Sequence, residues 1–79
     1  MTGTVVNIAG YRFADLPDRN NLQQPLRDIC DKLALKGTIL LAYEGINFFL
    51  AGSQTGVDYF IEFLESDERL ADIPLKISY

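Results

Sequence analysis

The chain has 79 residues, of which 48% are hydrophobic and 23% are charged. This length and composition indicate one globular domain with a modest core and exclude a disordered or fibrous chain. The net charge of −4 argues against strong nucleic-acid binding by the chain alone, because phosphate contacts need clustered Lys and Arg side chains. The single cysteine excludes an internal disulfide, and no signal peptide or membrane span is apparent, so we expect a cytoplasmic protein.

The first part of the chain predicts a strand followed by a helix. Residues 4–13 are rich in β-branched and aromatic side chains and lack a helical period, which indicates a strand. Residues 15–21 contain Pro17 and are predicted to form a loop. Apolar residues then recur at spacings of four, three and four, which predicts the buried stripe of an amphipathic helix: Leu22, Leu26, Ile29 and Leu33.

The ends of this first helix are predicted from residues that favour helix termini. Asn21 is the predicted N-cap, with Gln24 three positions later as an imperfect capping box. Pro25 would then lie at the end of the first turn, where its missing N–H costs little. Gly37 is predicted to end the helix in a left-handed conformation.

A β-hairpin is predicted for the middle of the chain. Residues 38–43 and 46–51 are both strand-like, and the short break between them predicts an antiparallel pair with Gly45 at a positive-φ position. Glu44 has no second carboxylate close in sequence, which favours a solvent-exposed turn residue over a catalytic one. Asn47 is expected to brace the turn by hydrogen bonding instead of reading a ligand.

The last part of the chain predicts a second helix and a final strand. Either Ser53 or Thr55 is the expected N-cap of this helix. Its buried stripe is predicted to consist of Val57, Phe60, Ile61 and Leu64. Residues 73–79 alternate between apolar and polar side chains, which predicts an edge strand that tolerates Pro74.

The order β-α-β-β-α-β predicts an α+β sandwich of the ferredoxin-like, acylphosphatase-like type. Right-handed crossovers would place both helices on one face of a four-stranded antiparallel sheet. The other face should then be polar in a domain that works alone, yet Val5, Tyr11 and Phe13 alternate with Val6 and Ile8 along the first strand. Phe48 and Phe49 also point to opposite faces. We therefore expect apolar side chains on the uncovered face, where they form a contact surface or are covered by strand ends and loops.

Side chains with catalytic or metal-binding chemistry are scarce. The chain has no histidine and one cysteine, which removes the commonest general base and leaves no plausible zinc or iron site. Cys30 follows Leu26 by four residues and is expected to pack in the core. Arg12, Lys36 and Lys76 could form a small basic patch only if the fold brought them together. Neither the aromatic octamer of RNA-recognition folds nor the arginine loop of acylphosphatases is present.

Three segments together resemble one known family: V5-V6-N7-I8-A9-G10-Y11-R12-F13, L35-K36-G37-T38-I39-L40-L41-A42-Y43-E44-G45-I46-N47 and A51-G52-S53. This pattern is similar to the N-terminal domain of the bacterial tRNA uridine hydroxylases that contain a rhodanese domain. The family usually has proline where Tyr43 stands, and small residues where Phe48 and Phe49 stand.

The resemblance implies that residues 1–79 are a fragment of a longer chain with a downstream rhodanese domain. This longer chain is expected to use oxygen to hydroxylate the wobble uridine of tRNA to 5-hydroxyuridine. The essential cysteine of that reaction belongs to the rhodanese domain, so its role does not transfer to Cys30. We expect this domain to have no catalytic activity by itself and to bind no cofactor. Its expected role is to pack on the rhodanese domain and to help position tRNA. The candidate contact residues are Arg12, Lys36, Tyr43, Glu44, Gly45, Ile46 and Asn47. The alternatives are a stand-alone module that dimerises through the open sheet face and an RNA-binding module.

Overall fold

The computed structural model describes residues 5–79, so the first residue of the predicted first strand, Thr4, lies outside the described part. The predicted order β-α-β-β-α-β is confirmed. Its elements are β1 (Val6–Phe13), α1 (Arg19–Lys32), β2 (Lys36–Ala42), β3 (Gly45–Gly52), α2 (Gln54–Glu65) and β4 (Leu75–Ser78). The four strands form one antiparallel sheet in the order β2-β3-β1-β4. No helix in residues 5–79 is long and apolar enough to cross a membrane.

The core lies between one face of the sheet and the two helices. Alternate residues of the two central strands are buried on this face: Val6 and Ile8 of β1, and Ile46, Phe48 and Leu50 of β3. The predicted stripes of both helices pack against them, with Leu26 and Cys30 buried on α1 and Val57, Phe60 and Leu64 buried on α2. Phe48 and Phe60 meet edge to face at 5.4 Å between ring centroids, an arrangement that aromatic pairs prefer.

Helix α1 begins earlier than its capping residues predicted. Asp18, not Asn21, is the N-cap, and its carbonyl accepts hydrogen bonds from the backbone N–H groups of Asn21 and Leu22. The Asp18 side chain makes no cap bond, because Arg69 from the α2–β4 connection binds its carboxylate. Pro25 consequently lies inside the helix and removes the bond that an N–H there would give to the Asn21 carbonyl.

The end of α1 also differs from the prediction. Ala34, with a φ of 55°, takes the left-handed position that was predicted for Gly37. The Leu35 N–H donates to the Cys30 carbonyl at 2.9 Å and the Ala34 N–H donates to the Asp31 carbonyl at 3.2 Å, which is the Schellman pattern. Gly37 instead lies in β2 with a φ of 139°, where a Cβ would approach the Phe49 carbonyl oxygen.

The predicted hairpin is confirmed, but the predicted conformation of Gly45 is wrong. Among residues 5–79, positive φ values occur at Ala34, Gly37 and Asp72, and Gly45 is the first residue of β3. It is paired with Ala42 on one side and Phe13 on the other. A Cβ on Gly45 would lie 2.1 Å from the Arg12 carbonyl oxygen, so glycine is needed there for close strand approach.

Helix α2 starts at the first of its two predicted caps. The Ser53 side chain accepts a hydrogen bond from the Gly56 N–H at 3.0 Å, and Thr55 lies inside the helix. The final strand is shorter than predicted, from Leu75 to Ser78, because Ile73 and Pro74 only connect it to the preceding turn. Lys76 and Ser78 are exposed on the face opposite the helices, as predicted.

Candidate functional site

The face of the sheet opposite the helices carries a group of exposed large apolar side chains. These side chains are between 53% and 71% exposed: Val5, Tyr11, Phe13, Leu40 and Phe49. The last four come from the three neighbouring strands β2, β3 and β1. We call these four residues the open-face patch. The prediction of an apolar uncovered face is confirmed, because the described loops and strand ends leave these side chains exposed.

The open-face patch narrows to a cleft where the β2–β3 hairpin ends. The rings of Tyr11 and Phe13 meet edge to face at 4.9 Å between centroids. Together with Leu40, Asn47 and Glu44 they help to line a cleft of about 200 Å³. Asn47 is opposite Tyr11 on one side and Leu40 on the other, so its exposed amide lies within an apolar surface. This cleft offers aromatic packing beside one amide and one carboxylate.

Beside the cleft, the loop after β1 holds the hairpin corner, which we define as residues 43–47. The carbonyl oxygens of Tyr43 and Glu44 accept hydrogen bonds from Leu16 at 2.8 Å and Ala14 at 2.9 Å. The guanidinium of Arg19 lies 4.3 Å from the centroid of the Tyr43 ring, a cation–π contact. The corner is thereby fixed to the start of α1, and a partner would meet a preformed surface.

The structure divides the candidate residues of the hairpin corner into two groups. Gly45 and Ile46 are buried, and they shape the sheet without presenting a side chain to a partner. Tyr43, Glu44 and Asn47 are exposed. The exposure of Glu44 agrees with the expectation of a solvated turn residue. Asn47 does not brace the turn as predicted, because it lies on the open face, within β3.

The candidate basic residues do not form a patch. Arg12 lies on the helix side of β1, where its guanidinium donates to the Ala71 carbonyl at 2.7 Å. Lys36 and Lys76 lie on the two edge strands, β2 and β4, which three strand spacings of ~4.8 Å separate by about 14 Å. Lys36 is also about 23 Å from Tyr43, seven residues away at ~3.3 Å per residue. The open-face patch therefore has no basic cluster that could hold a phosphate backbone.

The one close charge cluster among residues 5–79 is structural. Arg69 binds Asp18 at 2.6 Å and Asp67 at 2.7 Å, and it joins the α2–β4 connection to the start of α1. The Arg69 hydrogen bonds lower the pKa of both carboxyl groups, and those same bonds raise the pKa of Arg69. All three groups are occupied with one another, so the cluster has no free acid or base.

Cys30 is buried as predicted, and its environment does not activate the thiol. Burial raises the pKa of the Cys30 thiol, and the nearby Asp31 carboxylate raises it further. A reactive thiol needs the opposite shift. Among residues 5–79, no three His, Cys, Asp or Glu side chains come together as a metal ion would require.

Sequence reasoning missed two residues of this region. Leu40 belongs to the open-face patch, and the signal was the unbroken apolar run Ile39-Leu40-Leu41, which cannot place all its side chains on one face of a strand. Arg19 holds Tyr43 from a position 24 residues earlier in the chain, a contact for which the sequence carries no signal.

Comparison with known proteins identifies the family. Residues 5–79 match the UPF0176 acylphosphatase like domain. The chain belongs to this family. The match agrees with the resemblance drawn from the sequence and with the observed α+β fold of four antiparallel strands and two helices.

Several relatives of this UPF0176 domain bear the name tRNA uridine(34) hydroxylase. The protein from Bordetella avium is 52% identical over 75 residues, which cover 95% of this chain and 31% of that protein. The protein from Cupriavidus necator is 49% identical over 74 residues, covering 94% of this chain and 26% of its own length. The protein from a Picosynechococcus species is 48% identical over 92% of this chain. The chain thus spans about a quarter to a third of these relatives, in their N-terminal part.

A solved structure supports the fold alone. The de novo designed protein Ferredog-Diesel aligns with a TM-score of 0.63 at 15% sequence identity. The alignment covers 100% of this chain and 88% of the designed one. At this identity the likeness concerns the arrangement of strands and helices.

Proposed function

We propose that this UPF0176 domain is the accessory N-terminal domain of a cytoplasmic tRNA-modifying enzyme that hydroxylates wobble uridine to 5-hydroxyuridine. The observation that carries the proposal is an identity near 50% over nearly the whole chain to proteins named tRNA uridine(34) hydroxylase. No residue of the domain is assigned a catalytic role and no cofactor is assigned to it. The essential cysteine belongs to a downstream rhodanese domain, whereas Cys30 is buried in the core with a raised pKa.

The open-face patch is the surface that packs on the rest of the enzyme. Its four large side chains are between 53% and 71% exposed, and covering the remaining area would contribute roughly 1 kcal/mol for each. Burial of the whole patch would thus contribute several kcal/mol, which is suitable for a contact between domains. The basic side chains on this face, Lys36 and Lys76, lie on opposite edge strands and form no cluster, which disfavours RNA as the occupant, since phosphate binding needs grouped cations.

The hairpin corner orients the tRNA but does not supply the main contacts that bind it. Tyr43 and Glu44 are fixed by the loop after β1 and exposed, so they form a firm edge beside the patch. The net charge of −4 means that the main phosphate contacts come from other parts of the enzyme. The corner then limits the orientation in which the anticodon loop can approach.

The test of this role uses the longer enzyme that contains the domain. The double variant Leu40→Ser/Phe49→Ser removes half of the open-face patch without touching the core. The matched control is Tyr59→Ser, which alters a ring that is 56% exposed on α2. We expect the patch variant to lower the 5-hydroxyuridine content of tRNA at least tenfold in a strain whose sole copy is the variant, and the control to stay within twofold. Mass spectrometry of tRNA nucleosides measures both.

Two outcomes would contradict the proposal at different levels. Wild-type modification in the patch variant would show that the open face is not the packing surface. Unchanged 5-hydroxyuridine after deletion of the gene, in a strain without a second such enzyme, would show that the enzyme does not catalyse this hydroxylation.

The exposed open-face patch also supports a second candidate, a stand-alone module that dimerises through this face. Size-exclusion chromatography separates the candidates: a stable dimer of the isolated domain that Phe49→Ser abolishes favours the second one. Binding of tRNA by the isolated domain, weakened by moderate salt, would instead indicate an RNA-binding module.

A further inference from the structure

The two edges of the sheet are protected very unequally against the addition of another strand. The edge strand β4 has four residues, follows Pro74 and carries Lys76, and all three features hinder further pairing. The other edge strand, β2, has seven residues, contains no proline and pairs with β3 without a bulge. Its one charged residue, Lys36, is its first. In the described part of the chain, β2 therefore leaves a continuous row of backbone N–H and C=O groups unpaired on one side.

The space beside β2 is also incompletely filled. Ile39 and Leu41 point toward the helix side of the sheet but remain partly exposed, whereas the corresponding residues of β3 are buried. The reason is a cavity of about 310 Å³ between α1 and β2. Its lining combines the apolar side chains of Leu26, Cys30 and Leu50 with polar and charged side chains of α1. An added strand would therefore satisfy the backbone row and place its own inward side chains beside this cavity.

We propose that the edge of β2 is an interface between two copies of this chain, paired antiparallel about a two-fold axis at Ile39. The two four-stranded sheets then join into one sheet of eight strands. This interface uses the edge of the sheet and includes only Leu40 of the open-face patch, and it does not depend on the proposed role in tRNA modification. A two-fold interface is the commonest form of self-association, since it closes on itself.

The sequence of β2 is complementary to itself in this register. With Ile39 opposite Ile39 of the second copy, Gly37 falls opposite Leu41, a small residue beside a large one, on the cavity side. On the outer face Thr38 falls opposite Leu40. Lys36 falls opposite Ala42, so no like charges meet.

This register is also favoured over its neighbours. Shifting the strands by one residue would place inward side chains opposite outward ones, which pleated strands do not permit. A shift by two residues keeps the faces but leaves two of the seven β2 residues of each copy without a β2 partner. The Ile39-centred register pairs the whole strand.

Engineered cysteines test the interface and its register in one experiment. In a Cys30→Ala background, Ile39→Cys places two thiols opposite each other at the axis, where directly opposed Cβ atoms lie about 4.5–5.5 Å apart. Thr38→Cys places its thiol opposite Leu40 and not opposite itself. Ser78→Cys on the β4 edge is the matched control. We expect Ile39→Cys to form disulfide-linked dimers at least ten times faster than either of the other variants under mild oxidation.

Analytical ultracentrifugation of the 79-residue chain gives the independent measurement. We expect a reversible dimer whose dissociation constant rises at least tenfold in Ile39→Lys, because two lysines would face each other at the axis. If Ile39→Lys does not fold, Thr38→Lys replaces it as the test, because this position is exposed. Thr38→Lys should weaken the dimer at least fivefold. Ser78→Lys adds the same charge at the other edge and should leave it unchanged. A chain that stays monomeric at high concentration, or equal cross-linking of Ile39→Cys and Ser78→Cys, would overturn the proposal.

Discussion

Replacing Gly45 with alanine tests why glycine stands at the start of β3. Sequence reasoning assigns this glycine to a positive-φ turn position, whereas the structure assigns it to the close approach of β3 to β1. The two explanations predict different tolerances. Asparagine is accepted at left-handed positions, so Gly45→Asn should be mild under the first explanation. Under the second, any Cβ collides with the Arg12 carbonyl oxygen, and Gly45→Asn should be as harmful as Gly45→Ala.

The size of the effect follows from the geometry. The Cβ would lie 2.1 Å from the Arg12 oxygen, closer than such atoms ever come, so the strands must separate by roughly 1 Å. This separation would weaken the pairing of Gly45 with Phe13 and put at risk one or two backbone hydrogen bonds, each worth about 0.5–1.5 kcal/mol. With local strain added, we expect a loss of about 2–4 kcal/mol, out of a total stability of roughly 4–12 kcal/mol for a domain of this size.

Urea unfolding followed by far-UV circular dichroism measures this loss. Gly52→Ala is the matched control at the other end of β3, because its Cβ would meet the tip of the Leu35 side chain instead of backbone. We expect the control to cost less than half as much as Gly45→Ala. A loss below about 1 kcal/mol for Gly45→Ala, or a mild Gly45→Asn beside a harmful Gly45→Ala, would refute the close-approach explanation.

Three further predictions concern stability. Ala34→Gly should stabilise the domain by about 0.5–1 kcal/mol in urea unfolding, since glycine adopts the φ of 55° without the Cβ penalty; a destabilised variant would contradict the left-handed cap. Ser53→Ala should cost about 1 kcal/mol through the lost N-cap bond to Gly56, and an unchanged midpoint would show that this bond does not stabilise α2. Arg69 lowers the pKa of Asp18 and Asp67, so their contribution is complete above the ordinary carboxyl pKa near 4 and is lost as the pH falls through the lowered values. The thermal midpoint of Arg69→Gln should therefore fall less between pH 5 and 2 than that of the unmodified chain, and parallel curves would exclude this linkage.

Local patterns predicted the elements of this fold well and their ends less well. The stripes of α1 and α2 were correct, because apolar spacing at the helical period reports directly which side faces a core. The start of α1 was wrong because the Asp18 carboxylate is bound by Arg69, 51 residues later in the chain. The end of α1 was wrong because Ala34 adopts a conformation that usually selects glycine. Capping rules consider only neighbours in sequence, so they cannot include a long-range partner such as Arg69.

The candidate site was predicted in the same uneven way. The apolar open face followed from strand alternation, but its membership needed the register that places Leu40, Asn47 and Tyr11 side by side. Arg12 turns to the helix side and Lys36 lies at the far end of β2, so these two candidate contacts do not come together as a basic patch. Periodicity tells which residues share a face of one strand, whereas only the pairing tells which faces of different strands lie together.

The sequence by itself determined the order of elements, the two helical stripes and the family, because each of these depends on spacing along the chain or on short motifs. The tertiary structure alone decided the role of Gly45, the destination of Arg12 and the contrast between the open β2 edge and the protected β4 edge. The physical reason is the same in each case. A backbone carbonyl, a distant hydrogen-bond acceptor or an unpaired edge exists only after the chain has brought remote segments into contact.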